Sequence, residues 1–342
     1  MSDRTSQMDT HSRKTHKTDS LLYLHIGFPK TASTTLQRAI FRNDPAICYL
    51  GKSSLNKKTD AVCTKFLESL LWSSSRFWET HGQATAAELI AAADIINPSS
   101  GSKPVVISAE EILASTFPSL QVAMRFHQGR LVGLDPDVLI ERLRVFALHG
   151  WTAGKIRILL TIRRQDHFLA SYFAQTFLWL HKYGLNTLEA FAEKVTDTNY
   201  YSMGGLTLNY SELIDRLEEA LGPGSVDVIL YEDLQKNPQE ALKIISGSTG
   251  INMDSAIKAL KATSFKLRKS EENSWKVNRY QGKGLLKHAL QHLSRTLKRQ
   301  ENPRLVTLTD SLSMAIMERY HQSNQRMAER LGRDLRSLGY IS

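Results

Sequence analysis

Only two cysteines, Cys48 and Cys63, occur in the 342 residues. They build no disulfide framework and supply no zinc-type ligand spacing, and their scarcity suits a reducing compartment. Long apolar runs are missing as well: none approaches the roughly 18–20 residues needed to span a bilayer. The first twenty residues are polar and of mixed charge, without the apolar stretch of a secretory signal. They are expected to form a disordered tail, 1–20, ahead of one domain over 21–342. These absences point to a cytoplasmic protein, with peripheral membrane contact left open. Fixed-period repeats, zinc-finger spacing and an RNA-binding aromatic signature are all lacking, so no nucleic-acid role is expected. Nor does any carboxylate pair or His/Asp cluster require a metal.

What is present is ordinary globular material, 42% hydrophobic and 23% charged, in a chain long enough for a substantial core. The formal net charge of +10 is uneven. Residues 258–304 carry thirteen Lys or Arg against three acids, Glu271, Glu272 and Glu301. A surface of one sign attracts anions and speeds their capture, so a small anionic ligand is expected alongside a solvated basic face.

Apolar runs at 21–27 (LLYLHIG), 105–108, 156–162 (IRILLTI) and 226–230 (VDVIL) predict core strands. Helical periodicity is read at 34–43, within 64–93, at 135–148, from 166 onward, at 210–221, near 238–245 and within 311–331. Gly222-Pro223-Gly224 is a firm stop after the fifth of these. Residues 184–207 are less periodic and read as an irregular, substrate-facing region. Apolar strands alternating with helices predict an α/β fold with a central, mainly parallel sheet flanked by helices.

The first strand runs into Gly27-Phe28-Pro29-Lys30-Thr31-Ala32-Ser33-Thr34-Thr35. A loop entering a helix exposes unpaired N–H groups in a favourable field for anions. Lys30 adds charge, Ser33, Thr34 and Thr35 add hydroxyls, and Pro29 stiffens the approach. A Walker A loop needs GxxxxGK[ST], and here Ala32 and Ser33 stand where its second Gly and Lys belong. Gly51-Lys52-Ser53 is a decoy, because Ala46 replaces the required first Gly. The pattern is P-loop-like, yet suited to one terminal phosphate with Lys30 reaching a neighbouring group.

HIGFPKTASTTLQ resembles the 5′-phosphosulfate loop of sulfotransferases that use 3′-phosphoadenosine 5′-phosphosulfate (PAPS), especially bacterial carbohydrate-type members. The resemblance implies that Pro29, Lys30, Thr31, Ala32, Ser33 and Thr34 hold the donor's 5′-phosphate. Family members commonly have glycine at the position of Ala32, so a backbone conformation open to a Cβ is expected there. Arg163, after the third predicted strand, and Ser171, eight residues later, match the family's 3′-phosphate pair. Arginine gives a directional phosphate contact. Within the late basic stretch Phe265-Lys266-Leu267-Arg268-Lys269-Ser270, Arg268 and Lys269 are the implied further contacts. Tyr231-Glu232-Asp233-Leu234 resembles the family's YEDL segment, with a structural role.

The implied reaction is sulfuryl transfer from PAPS to a hydroxyl of a carbohydrate or glycolipid, releasing adenosine 3′,5′-bisphosphate. Such transfer needs a base for the acceptor proton and cationic stabilisation of the leaving phosphate. Lys30 suits the second task. Glu110, in Ser108-Ala109-Glu110 after the strand-like 105–108, is the leading base, with Glu111 adjacent. His25 is a weaker alternative base, since its strand position favours a packed, hydrogen-bonded histidine, and His167 is a further one. Arg164 is read as facing substrate or another anion. Two other functions stay open from sequence: a small-molecule kinase, disfavoured by the missing GK[ST], and a non-catalytic nucleotide-binding or assembly protein.

Overall fold

The computed structural model describes residues 20–51, 57–98, 103–117, 133–151, 155–196, 205–262, 273–277 and 305–341. Five strands, β1 (Leu22–Gly27), β2 (Cys48–Gly51), β3 (Val105–Ser108), β4 (Ile156–Ile162) and β5 (Val226–Leu230), form one sheet in the order β2-β3-β1-β4-β5. Every pairing within it is parallel. The fold is therefore α/β with helices on both faces. Four strands coincide with the apolar runs read from sequence.

β2 was not expected. It lacks the β-branched residues that mark 105–108, and it exists because Cys48, Tyr49, Leu50 and Gly51 pair in register with Val105 to Ser108. The helical signal at 64–93 divides into Lys57–Trp72 and Ser75–Ile96. Residues 184–207 are less irregular than expected, since they contain helices Leu188–Thr196 and Gly205–Leu208. The expected helix within 311–331 is two helices, Asp310–Arg319 and His321–Leu331, broken at Tyr320.

Strand alternation sends side chains to opposite faces. Leu22, Leu24, Ile26, Ile158, Leu160 and Ile162 face one core, packed with helices Ser75–Ile96, Pro136–His149, Gln165–Leu180 and Tyr210–Leu221. Tyr23, Val106, Leu159 and Ile229 face the other, with Leu36, Ile40, Leu242 and Ile245 against them. An antiparallel pair, β6 (Ser274–Lys276) and β7 (Leu305–Thr307), lies beside helix Gln165–Leu180. No helix among the described residues is long and apolar enough to cross a membrane.

His25, 1% exposed, bridges three adjacent strands near their C-terminal ends. Its Nδ1 lies 2.6 Å from Ser108 Oγ on β3 and its Nε2 2.8 Å from Thr161 Oγ1 on β4. Gln37 Nε2 donates to the same Ser108 Oγ at 3.1 Å. Burial pushes the imidazole pKa from 6.5 down to about 3, because charging it would strand a cation away from water. His25 is thus the packed, hydrogen-bonded residue expected, and it binds the sheet edge where the loops begin.

This burial has a sign that can be measured. The unfolded ring takes up a proton near pH 6.5 and the folded ring only near pH 3. Neutral His25 therefore contributes fully to stability above pH 6.5, and the contribution is lost as pH falls from 6.5 toward 3. His25→Gln is expected to flatten that part of the stability–pH curve by up to ~1.4 kcal/mol per pH unit. Urea unfolding at stepped pH reads this, and an unchanged slope would place the titrating group elsewhere.

Candidate functional site

Strand order reverses about β1, and ligands of open α/β sheets bind beyond the carboxyl ends of strands at such a switch point. The loop after β1, the residues after β3 and the residues after β4 all reach that edge.

The loop is fixed from beneath. Phe28 is fully buried among Phe117, Phe168 and Tyr210, with ring centroids 5.7, 4.8 and 5.8 Å away. Thr31 donates its hydroxyl to the Phe28 carbonyl at 2.6 Å. Gly27 permits a close approach, since a Cβ there would lie 3.0 Å from Thr31 Oγ1 and 3.3 Å from Thr161 Cβ. Lys30 and Ala32 both take the left-handed conformation, with φ of 70° and 62°. This overturns the expectation for Ala32, where the Cβ is accommodated with strain. Left-handed backbone costs an L-residue about 1–2 kcal/mol. Burying a phenylalanine contributes roughly 1.5–3 kcal/mol, enough to offset one such residue.

The first backbone bonds of the following helix are Thr35 and Leu36 N–H to the Ala32 carbonyl. The N–H groups ahead of them lie outside the ladder, as at any helix start. Ser33–Thr35 is α-helical, and Leu36–Phe41 continues as π-helix rather than the regular helix expected over 34–43. Arg42 N–H accordingly bonds to the Gln37 carbonyl, five residues back, at 3.0 Å. Such π segments recur at functional sites. Pro29 and Ser33 are buried, whereas Lys30 and Thr34 are exposed at the rim.

Arg163, 8% exposed, follows β4 and meets the loop directly: its Nη1 donates to the Lys30 carbonyl at 3.2 Å. Its guanidinium carbon lies 4.5 Å from the centroid of the Tyr231 ring, a cation–π contact. Its carbonyl accepts the Tyr210 hydroxyl at 2.5 Å. The Nε is buried with no hydrogen-bond partner among the described residues. Ser171 lies on the next helix, Gln165–Leu180, and is 6% exposed.

Glu110 follows β3 and reaches the loop from the other side. Ser33 Oγ donates to its Oε2 at 2.7 Å. Glu110 occupies the N-cap position of helix Glu111–Ala114 without capping it through its side chain. The carboxylate is turned toward the loop after β1.

Arg164 does not face an open site. It pairs with the fully buried Asp166 at 2.7 Å, while Asp166 also accepts from Ser313 Oγ at 2.5 Å. His167 contacts the Trp275 ring at 5.7 Å between centroids, and burial lowers its pKa to about 4. In the YEDL segment, Asp233 accepts two bonds from Arg333, at 2.5 and 2.6 Å. Glu232 accepts from Tyr340 and from the Arg164 backbone. Arg268 and Lys269 lie outside the described residues, as do residues 1–19 of the expected tail.

Sequence reasoning missed Gln37 and Tyr340. Gln37 left a trace, a polar residue amid the apolar face formed by Leu36, Ala39 and Ile40. Tyr340 left none, since its partner lies 108 residues away.

No protein-family model matches the chain, and no curated protein matches it. Among solved structures it is similar to a sulfotransferase from Alicyclobacillus acidocaldarius, at 13% identity over 92% of this chain and 97% of that one, with a TM-score of 0.44. It is also similar to the sulfotransferase domain from the curacin biosynthetic pathway, at 12% identity over 93% and 99% of the two chains, with a TM-score of 0.39. Both are likenesses of chain path at low identity.

Ala32→Gly should raise stability by about 0.5–1 kcal/mol, the relief of left-handed strain less the greater unfolded freedom of glycine. Denaturant midpoints measure it. A lower midpoint would show that packing of the Ala32 methyl outweighs the strain.

Proposed function

We propose that this protein transfers a sulfuryl group from PAPS to a hydroxyl of a carbohydrate or glycolipid, releasing adenosine 3′,5′-bisphosphate. The observation that carries the reading is one convergence: the Lys30 carbonyl receives Arg163, and Ser33 of the same loop meets Glu110. Residues from the ends of three strands thus surround a single anion-binding loop. Arg163 Nε, buried and without a partner among the described residues, fits an anionic group beside it, because an unsatisfied buried donor costs about 1–3 kcal/mol.

PAPS, when bound, supplies both the sulfuryl group and a bisphosphate leaving group. The N–H groups of 31–34 and the hydroxyls of Ser33 and Thr34 would hold its 5′-phosphate. Thr31 would contribute only its N–H, because its hydroxyl is committed to Phe28. Arg163 and Ser171 would hold the 3′-phosphate. Lys30, exposed at the rim, would neutralise charge developing on the leaving oxygen. Glu110 would take the acceptor's proton. The Ser33 hydroxyl has one hydrogen, so turning it toward phosphate frees the Glu110 oxygen that now accepts it.

Incubation with sulfur-labelled PAPS and a panel of carbohydrates and lipids should move label to an acceptor and release the bisphosphate. Binding without transfer across a broad panel would favour a non-catalytic nucleotide-binding protein. Glu110→Gln should lower turnover roughly 10²–10⁴-fold at saturating acceptor. Near-normal turnover would remove Glu110 from the role of base. Arg163→Ala should weaken donor binding, and Lys30→Ala should impair transfer more than folding. Donor KM and kcat separate these two effects.

A further inference from the structure

The segment after helix His321–Leu331 returns to the ends of β4 and β5 through buried polar contacts. Arg333 grips the fully buried Asp233 with two hydrogen bonds. Tyr340, 1% exposed, donates its hydroxyl to Glu232 Oε2 at 2.7 Å, and its carbonyl accepts from Asn324 Nδ2 at 2.9 Å. The other oxygen of Glu232 accepts the Arg164 backbone N–H at 3.1 Å. One buried carboxylate therefore joins Tyr340 to the peptide between Arg163 and Arg164.

The neighbouring contacts tighten this arrangement. Gly339 has φ of +79°, and a Cβ there would come within 2.5 Å of Arg164 Nη1. Tyr231, directly before Glu232, stacks on the Arg163 guanidinium. Arg333 and Asp233 already fasten the tail to the end of β5. Tyr340 adds something different, a bond to the group that fixes the backbone carrying Arg163. Loss of its hydroxyl leaves one Glu232 oxygen without that donor in a site nearly closed to water. A carboxylate in that position reorients or takes up a proton, and its hold on the Arg164 N–H slackens.

We infer that Tyr340, acting through Glu232, is a positioning residue for Arg163 and so sets how strongly the 3′-phosphate of the donor is held. This rests on the donor reading proposed above. The 5′ end of the donor is held by loop backbone, which Tyr340 does not touch. Removing the hydroxyl should therefore weaken recognition of one phosphate and spare the other.

Calorimetric titration of the full chain with adenosine 3′,5′-bisphosphate and with adenosine 5′-monophosphate tests this. The wild type should prefer the bisphosphate. Tyr340→Phe, which keeps the ring, should weaken the bisphosphate about tenfold, and the monophosphate by less than about twofold, the scale expected for one charge-assisted hydrogen bond. Glu232→Gln keeps an acceptor for Arg164 N–H and should fall between wild type and Tyr340→Phe; it decides the matter if Tyr340→Phe does not fold. Equal losses for the two nucleotides, or no loss, in a variant whose near-ultraviolet circular dichroism matches wild type would overturn the inference alone. A wild type with no preference for the bisphosphate would overturn the donor reading, and the inference with it.

Discussion

The parallel pairing of β1 with β4, in the register that sets Gly27 opposite Thr161, is the constraint on which the site depends. It brings the residue after each strand to the same edge, so that Arg163 can donate to the Lys30 carbonyl across 133 positions of sequence. A register slip of one residue would turn every side chain of the strand to the opposite face, taking His25 from Ser108 and Thr161. The hydrogen bonds of His25 therefore both require the register and hold it. They also explain a buried imidazole in an otherwise apolar strand: its two nitrogens meet two hydroxyls, and no charge has to be buried.

Around that edge, polar groups come in matched sets rather than singly. Asp166 serves Arg164 and Ser313, Asp233 serves Arg333, and Glu232 serves Tyr340 and a backbone N–H. Buried carboxylates are costly unless they gain such partners. Glu232 in turn holds the backbone N–H that follows Arg163. Burial nonetheless keeps the Glu232 pKa raised, so desolvation outweighs the donors it has gained.

Strands β1, β3, β4 and β5 were legible because each is a compact apolar or β-branched run, and such runs report burial on both faces directly. β2 was not legible, because Cys48–Gly51 holds no β-branched residue, unlike the equally short β3, and pairing with β3 makes it a strand. The loop from Gly27 to Thr35 was legible from its residue types as a hydroxyl-rich turn from strand to helix. Its shape was not: Ala32 suggested ordinary backbone, whereas Lys30 and Ala32 both take the left-handed conformation. Arg164 shows the same limit. Its charge and position suggested contact with substrate or another anion, and the anion it meets is Asp166, two residues on in helix Gln165–Leu180.

The sequence by itself determined the alternation of strands and helices, and the charge and hydrogen-bonding capacity that Lys30, Ser33, Thr34 and Thr35 lend the first loop. These follow from local patterns of apolarity, charge and hydrogen-bonding capacity, which each segment carries wherever it lies. Only the tertiary structure decided which of those residues share a site. It set Glu110 on Ser33 and Arg163 on the loop, and brought Tyr340 to Glu232. Contacts between residues tens to hundreds of positions apart depend on strand order and register, and no local pattern encodes them.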